Sequence, residues 1–132
     1  MARAFLGLGS NLGDRRRHLR DAVAAIPDVV AVSRVYETAP VGGPDQGAYL
    51  NVVVRLDTER SPRELLEICR EREAEGRRVR TVRWGPRTLD LDIVLIENVE
   101  YADDVLTVPH PELPNRDFWL RQLAELRGVS DG

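Results

Sequence analysis

Between Arg83 and Ile96 the chain places two aspartates, Asp90 and Asp92, two residues apart in an otherwise apolar run, and this spacing constrains the fold more than any other feature. The run Leu89-Asp90-Leu91-Asp92-Ile93-Val94-Leu95-Ile96 suits a strand. Alternate strand residues share a face, so both carboxylates point the same way, roughly 6 to 7 Å apart. The same alternation puts Val94 and Ile96 next on that side, which makes it a face toward a low-dielectric region rather than a solvated edge. Two like charges there repel unless a cation sits between them. Magnesium suits the position because it takes one or two carboxylates and keeps its other positions for water and substrate phosphates. Arginines on either side of Trp84 would then meet those phosphates. The plainer alternative is a strand whose polar face simply carries two aspartates, since structural networks also perturb carboxylates.

With 132 residues, one domain is expected, long enough to bury about two thirds of its unfolded surface. The composition, 42% hydrophobic and 31% charged, is that of an ordinary soluble protein. No apolar run approaches the roughly 18 residues a membrane span needs. The start, Met1-Ala2-Arg3-Ala4-Phe5-Leu6-Gly7, lacks a signal-peptide core, so a cytoplasmic protein is expected. All 19 basic residues are arginine. That excludes Schiff-base lysine chemistry and the lysine phosphate loop, and leaves phosphate recognition to arginine forks, histidine, backbone amides or metal. A net charge of -3 argues against nucleic-acid binding through a broad basic surface and leaves a local patch open. Cys69, the lone cysteine, falls at an apolar helical position and reads as a buried inert thiol.

Residues 2 to 8 read as a buried strand ending in a glycine-rich turn, Gly7-Leu8-Gly9-Ser10-Asn11. Asp14 caps a helix with Leu19, Ala22, Val23 and Ile26 on one face, and Pro27 stops it. Val29 to Tyr36 is extended, residues 38 to 47 are turn-rich, and Tyr49 to Leu56 is the next strand. Ser61-Pro62-Arg63-Glu64 is a capping box opening a helix with Leu65, Leu66, Ile68 and Cys69 inward. Arg77 to Pro86 reads as a basic loop, Tyr101 to Val108 crosses or extends the sheet, and Asn115 to Leu126 is a last helix bearing Leu120, Leu123 and Leu126. The order predicts a ferredoxin-like α+β sandwich with helices on one face of a mainly antiparallel sheet.

Four further features carry chemistry. The run Gly7-Leu8-Gly9-Ser10-Asn11-Leu12-Gly13, with Glu37 beyond, resembles a dinucleotide fingerprint, but its spacing is one residue long, and a tight turn explains the glycines. Arg77, Arg78, Arg80, Arg83 and Arg87 surround Trp84, either binding a polyanion or forming a solvated excursion. His110 is fixed between Pro109 and Pro111, aimed at a ligand or simply exposed; His18, on an arginine-rich helix, reads as exposed. Asn51 either reads a heterocycle edge or satisfies a strand end.

Taken together, the Gly9-Ser10-Asn11 turn, Thr38-Ala39-Pro40-Val41-Gly42-Gly43-Pro44-Asp45-Gln46, Tyr49-Leu50-Asn51, Arg83 through Ile93 and Val108-Pro109-His110-Pro111 resemble the 6-hydroxymethyl-7,8-dihydropterin pyrophosphokinases of folate synthesis. The resemblance covers nearly the whole chain in order. It implies transfer of a pyrophosphoryl group from ATP to the pterin hydroxymethyl oxygen with release of AMP, and two magnesium ions on Asp90 and Asp92. It also implies that Thr38, Val41, Tyr49, Asn51 and Phe118 enclose the pterin. Glu73, Arg78, Trp84, Arg87, His110 and Arg116 would lie on the nucleotide side, with Arg78, Arg80 and Arg87 in catalytic roles beside the aspartates. The chain departs from the family at Arg70, where glutamine is common, and in having fewer residues after Leu126 than many members. No residue is an obvious general base, and the sequence leaves the oligomeric state open. Two other readings stand beside this one: a small RNA-binding or regulatory module using the arginine loop, and a nicotinamide enzyme using the glycine run. An ATP titration with and without magnesium separates all three.

Overall fold

The computed structural model describes residues 1–11, 13–39, 48–79, with side chains to 76 in that last stretch, and 89–127. Its main sheet is antiparallel at every pairing, in the order β2 (Val29–Val32), β4 (Tyr49–Thr58), β1 (Ala2–Ser10), β5 (Asp90–Ile96), with β3 (Tyr36–Thr38) continuing the outer edge of β4. The β-branched stretch at 29–36 is therefore two short strands, not one. At the break, the Ser33 hydroxyl accepts the Val53 N–H at 2.9 Å.

Strand periodicity divides the core into two layers. Ala4, Leu6 and Leu8 of β1, Leu50, Val52, Val54 and Leu56 of β4, and Leu91 and Ile93 of β5 meet α1 (Arg15–Ala25) and α2 (Pro62–Val79). Phe5, Val53 and Val94 face the other way and meet Trp119, Leu123 and Leu126 of α3 (Asp117–Arg127). The α+β antiparallel class agrees with the sequence reading. The expectation that the helices share one face does not, because β1 is apolar on both sides and needs a second cover.

Both helix starts form as the side chains dictate. Asp14 Oδ1 accepts the Arg17 N–H at 3.2 Å. Ser61 and Glu64 close their box reciprocally, at 2.8 Å from the Ser61 N–H to Glu64 Oε1 and 3.1 Å from the Glu64 N–H to Ser61 Oγ. Leu65 and Cys69 are buried while Leu66 and Ile68 are half-buried. The second helix continues to Val79, so Arg77 and Arg78 belong to its last turn rather than to a loop. In α3 the inward stripe is Trp119, Gln122, Leu123 and Leu126, spaced 3, 1 and 3, and Leu120, expected inside, is 44% exposed. Residues 101–108 form a separate ribbon of β6 (Tyr101–Ala102) and β7 (Thr107–Val108) instead of joining the sheet.

A bulge in β5 shapes the site. Phe5 pairs with Leu95 but Leu6 pairs with Ile93, leaving Val94 as the extra residue. Val94 and Leu95 consequently both face α3, and Ile96 turns to the opposite layer. The aspartates thus share their side with Val94, as alternation predicts, but not with Ile96.

Candidate active site

Strand β1 supplies the floor. Gly9 lies opposite Asp90 on β5 and Asn51 on β4, and Asn51 lies opposite Tyr36 on β3. One step along, Gly7 lies opposite Asp92 and Val53. Period-two alternation puts these positions on the α3 side, so two bare glycines separate the carboxylates from the amide of Asn51. Neither glycine belongs to a turn: both are inside β1, and the turn residue is Gly13, with φ of 65°. They mark close approach of other groups to the backbone. A Cβ on Gly7 would come within 2.8 Å of Trp119 Nε1 and 3.1 Å of Val94 Cγ2, and one on Gly9 within 3.1 Å of Asn51 Oδ1 and 3.4 Å of Tyr49 Cδ1. The dinucleotide reading fails on the same ground, because its glycines would have to open a helix.

Above this floor is a cavity of about 660 Å³, of a size that takes small ligands. Its wall includes Thr38, Tyr49, Asn51, Glu73, Asp90, Asp92, Arg116 and Phe118. A second hollow, about 430 Å³, lies at the far end of the sheet, where Thr58 and Arg60 already hold Asp28.

Asn51 is ordered from two sides. Its Nδ2 donates to Thr38 Oγ1 at 2.8 Å and, more weakly, to the Tyr36 carbonyl at 3.4 Å. Its own carbonyl accepts from Gln122 Nε2 at 3.0 Å. With the amide nitrogen committed, Oδ1 is the group left to meet a ligand. Tyr49 stands beside the aspartates, its hydroxyl a long 3.5 Å from Asp90 Oδ2. Phe118 is half-buried and also lines the cavity.

The carboxylates sit at the outer strand of the sheet. Glu73 reaches from α2 to accept the Leu91 N–H at 2.9 Å, fixing the backbone between the two aspartates. The His110 N–H donates to the Val94 carbonyl at 2.9 Å, so the segment after β7 covers the same edge. Its Nδ1 accepts the Glu112 N–H at 3.0 Å, which places the ring proton on Nε2, 3.7 Å from Asp92 Oδ1. Arg116 Nη1 lies 4.0 Å from Asp92 Oδ2. Burial raises the Asp92 carboxyl above the usual range and Asp90 pushes the same way, against His110 and Arg116. Burial likewise lowers His110, with Arg116 adding to the effect and Asp92 and Glu112 opposing it. Both shifts disfavour the charged forms, and a cation at the carboxylates would oppose the Asp92 shift.

The donor set fits a magnesium ion. Asp90 and Asp92 offer oxygen only, on one face, with a repulsion that a divalent cation would relieve. Among the described residues no group of three or more His, Cys, Asp or Glu is arranged to hold a metal by itself. Such a site leaves coordination positions for water and phosphate.

The family model for 7,8-dihydro-6-hydroxymethylpterin-pyrophosphokinase matches residues 5–128. The chain belongs to this family. It is 48% identical over 128 residues to the 2-amino-4-hydroxy-6-hydroxymethyldihydropteridine pyrophosphokinase of Bacillus subtilis, covering 93% of this chain and 77% of that one. Identity to the protein of the same name from Methylorubrum extorquens is 47% over 131 residues, covering 96% and 83%. The "Folic acid synthesis protein fol1" of Schizosaccharomyces pombe is 41% identical over 128 residues, 93% of this chain and 18% of the relative.

Of the residues that the pyrophosphokinase resemblance singles out, Thr38, Tyr49, Asn51, Glu73, Asp90, Asp92, Arg116 and Phe118 line one cavity, and His110 stands beside Asp92. Val41, Arg80, Trp84, Arg87 and the side chain of Arg78 lie outside the described residues. His18, expected to be exposed, is half-buried between α1 and α2, beside Arg72 and Glu75. Sequence reasoning missed Gly7 and Gly9 as floor, Trp119 as wall and Gln122 as the support of Asn51. The signal for the glycines was present: Phe5, Gly7 and Gly9 alternate with Leu6 and Leu8 at the period of a strand.

Proposed function

We propose that this chain transfers the pyrophosphoryl group of ATP to the hydroxymethyl oxygen of 6-hydroxymethyl-7,8-dihydropterin, releasing AMP, as a cytoplasmic step of folate biosynthesis. The observation that carries the reading is the row Asp90, Gly9, Asn51 across three strands, which joins a carboxylate pair suited to metal-bound phosphates and an amide suited to a heterocycle across one open floor. In this reading Tyr49 and Phe118 flank the pterin ring, Asn51 Oδ1 accepts from one of its N–H groups, and Thr38 holds the amide in that orientation. His110 and Arg116 face the polyphosphate beside Asp92, while Glu73 keeps the β5 backbone in place. Arg78, Arg80, Trp84, Arg87 and Val41 are assigned by the family resemblance, the arginines to the transferring phosphates, Trp84 to the nucleotide and Val41 to the pterin.

The chemistry needs positioning and charge neutralisation more than covalent help. The hydroxymethyl oxygen attacks the β-phosphorus in line, its bond to the bridging oxygen of the α-phosphate breaks, and the hydroxyl proton leaves to solvent. Magnesium, two ions held through Asp90 and Asp92, would neutralise the phosphate oxygens and orient the chain of phosphates. Arginine forks supply the remaining positive charge.

A coupled assay for AMP tests this directly. ATP with the pterin alcohol should yield AMP and the pterin pyrophosphate in equal amounts, chelation by EDTA should stop the reaction, and added magnesium should restore it. AMP formation independent of the pterin, or full activity in EDTA, would sink the substrate or the metal assignment respectively.

A further inference from the structure

Trp119 is only 3% exposed and belongs to the layer beneath α3, yet it also forms part of the cavity wall. It touches two side chains of the site at once. The His110 ring meets it edge to face, with centroids 5.0 Å apart and planes at 78°. The Arg116 guanidinium carbon lies 4.3 Å from its ring centroid. We propose that Trp119 is a positioning residue for the nucleotide side of the site: its indole aims His110 and Arg116 at the ground beside Asp92, and Gly7 is bare so that the indole can stand there.

Without it Arg116 is loosely held and His110 loses one of its constraints. The Arg116 to Asp92 contact is 4.0 Å long and both side chains are more than a third exposed, so solvent screens it and leaves a flexible side chain with many rotamers. An aromatic face under the guanidinium restricts those rotamers while leaving the N–H edges free for phosphate oxygens. His110 already has its N–H on Val94 and its Nδ1 on the Glu112 N–H; the edge contact with the indole supplies the remaining constraint on where Nε2 points. The backbone accommodates the arrangement, since a Cβ on Gly7 would meet Trp119 Nε1 at 2.8 Å. A leucine at 119 would fill much of the same volume and offer no π face, which separates positioning from packing.

This inference rests on the proposed nucleotide-side roles of His110 and Arg116, and the test treats the two separately. Steady-state AMP formation is measured on the full chain with ATP varied, at saturating pterin alcohol and magnesium, for Trp119→Leu, Trp119→Phe, the His110→Ala/Arg116→Ala double variant, and each Trp119 change in that double background. A partly exposed cation–π contact corresponds to roughly a fivefold effect. Trp119→Leu should therefore lower kcat/KM for ATP by about fivefold in the parent, and by less than about twofold when His110 and Arg116 are already gone. Trp119→Phe, which keeps a smaller face, should lose about two- to threefold and lose that effect in the double background; it decides the matter alone if the leucine variant does not fold. Equal losses in both backgrounds, or parental kcat/KM in the single variants, would show that Trp119 only packs. A double variant with parental kcat/KM for ATP would remove His110 and Arg116 from the nucleotide side, and the inference would fall with them.

Discussion

Gly7→Ala gives the floor of the site a sign that can be measured. In a strand interior, replacing glycine by alanine ordinarily stabilises by roughly 0.5 to 1 kcal/mol, because the unfolded chain loses freedom. Here the added methyl meets Trp119 Nε1 at 2.8 Å, Trp119 Cε2 at 3.1 Å and Val94 Cγ2 at 3.1 Å. All three neighbours are rigid: the indole is wedged under α3 and Val94 is the bulged residue of β5. Overpacking of this kind costs about 1 to 3 kcal/mol, which exceeds the entropic gain, so a net loss of about 1 to 2 kcal/mol is expected. For a domain of this length that is a fall of about 4 to 8 °C in Tm, readable by calorimetry or a urea melt with unchanged m-value. Gly9→Ala is the internal control, since its nearest neighbours stand at 3.1 and 3.4 Å and border the open cavity. It should leave Tm nearly unchanged while impairing turnover. In a Trp119→Leu background the penalty of Gly7→Ala should largely vanish, a coupling of about 1 to 2 kcal/mol. A Gly7→Ala protein as stable as the parent, or more so, would refute the close-approach argument.

Further outcomes follow from the same geometry. Asp92→Asn should abolish most magnesium-dependent turnover yet melt no lower than the parent, because burial and the Asp90 charge already disfavour the ionised form; Asp90→Asn should share the kinetic loss, and near-parental activity at limiting magnesium would remove the metal assignment. Asn51→Ala should weaken pterin binding by about 1 to 3 kcal/mol with ATP binding little changed, which calorimetry on each ligand separately will resolve. Burial pushes the Cys69 thiol up to about 12, aided by the charges of Asp92 and Glu73, so a disulfide reagent at pH 8 should label it only after denaturant is added. The Tyr101 hydroxyl and the Val105 N–H hold Asp103 down at about 2, below its ordinary 3.8. Its folded value is the lower one, so the stabilisation is complete above about pH 4 and is lost as pH falls toward 2. Asp103→Asn should flatten that part of the acid melt.

What was legible in the sequence had local causes. The caps at Asp14 and Ser61 need only a side chain and an N–H three residues on, so residue type alone reveals them. The aspartate pair is equally local, because two residues of strand suffice to bring Asp90 and Asp92 to one side. What the sequence hid depends on partners far along the chain. The bulge at Val94 is a mismatch with β1 and turns Ile96 to the wrong layer for simple alternation. Leu120 fits a helical apolar stripe as well as Trp119 does on hydrophobicity alone; only the presence of Phe5, Gly7 and Val94 on the facing strands decides which one goes in. The glycines were misread because a short run rich in glycine looks like a turn, although Phe5, Gly7 and Gly9 already showed strand periodicity against Leu6 and Leu8.

The α3 side of the sheet carries two incompatible duties along the same strands, and the residue pattern divides them. Toward the start of β1 and the end of β5 that side is sealed: Phe5, Val53 and Val94 pack under Trp119, Leu123 and Leu126. Toward the other ends it must stay open, which requires that residues facing α3 be either absent as side chains or polar enough to meet a ligand. Gly7 and Gly9 satisfy the first condition, and Asp90, Asp92 and Asn51 the second. Trp119 stands on the boundary, apolar enough to close the core and flat enough to support charge on its far side. Gln122, one turn on, ties the same helix to the Asn51 carbonyl at 3.0 Å and the Arg34 carbonyl at 3.1 Å. Movement of α3 would therefore disturb the heterocycle side through Gln122 and the phosphate side through Trp119 together. With the proposed supports of both substrates on one helix packed against the sheet, their relative position is coupled to the stability of the core itself, which suits a reaction that depends on in-line geometry rather than on a covalent intermediate.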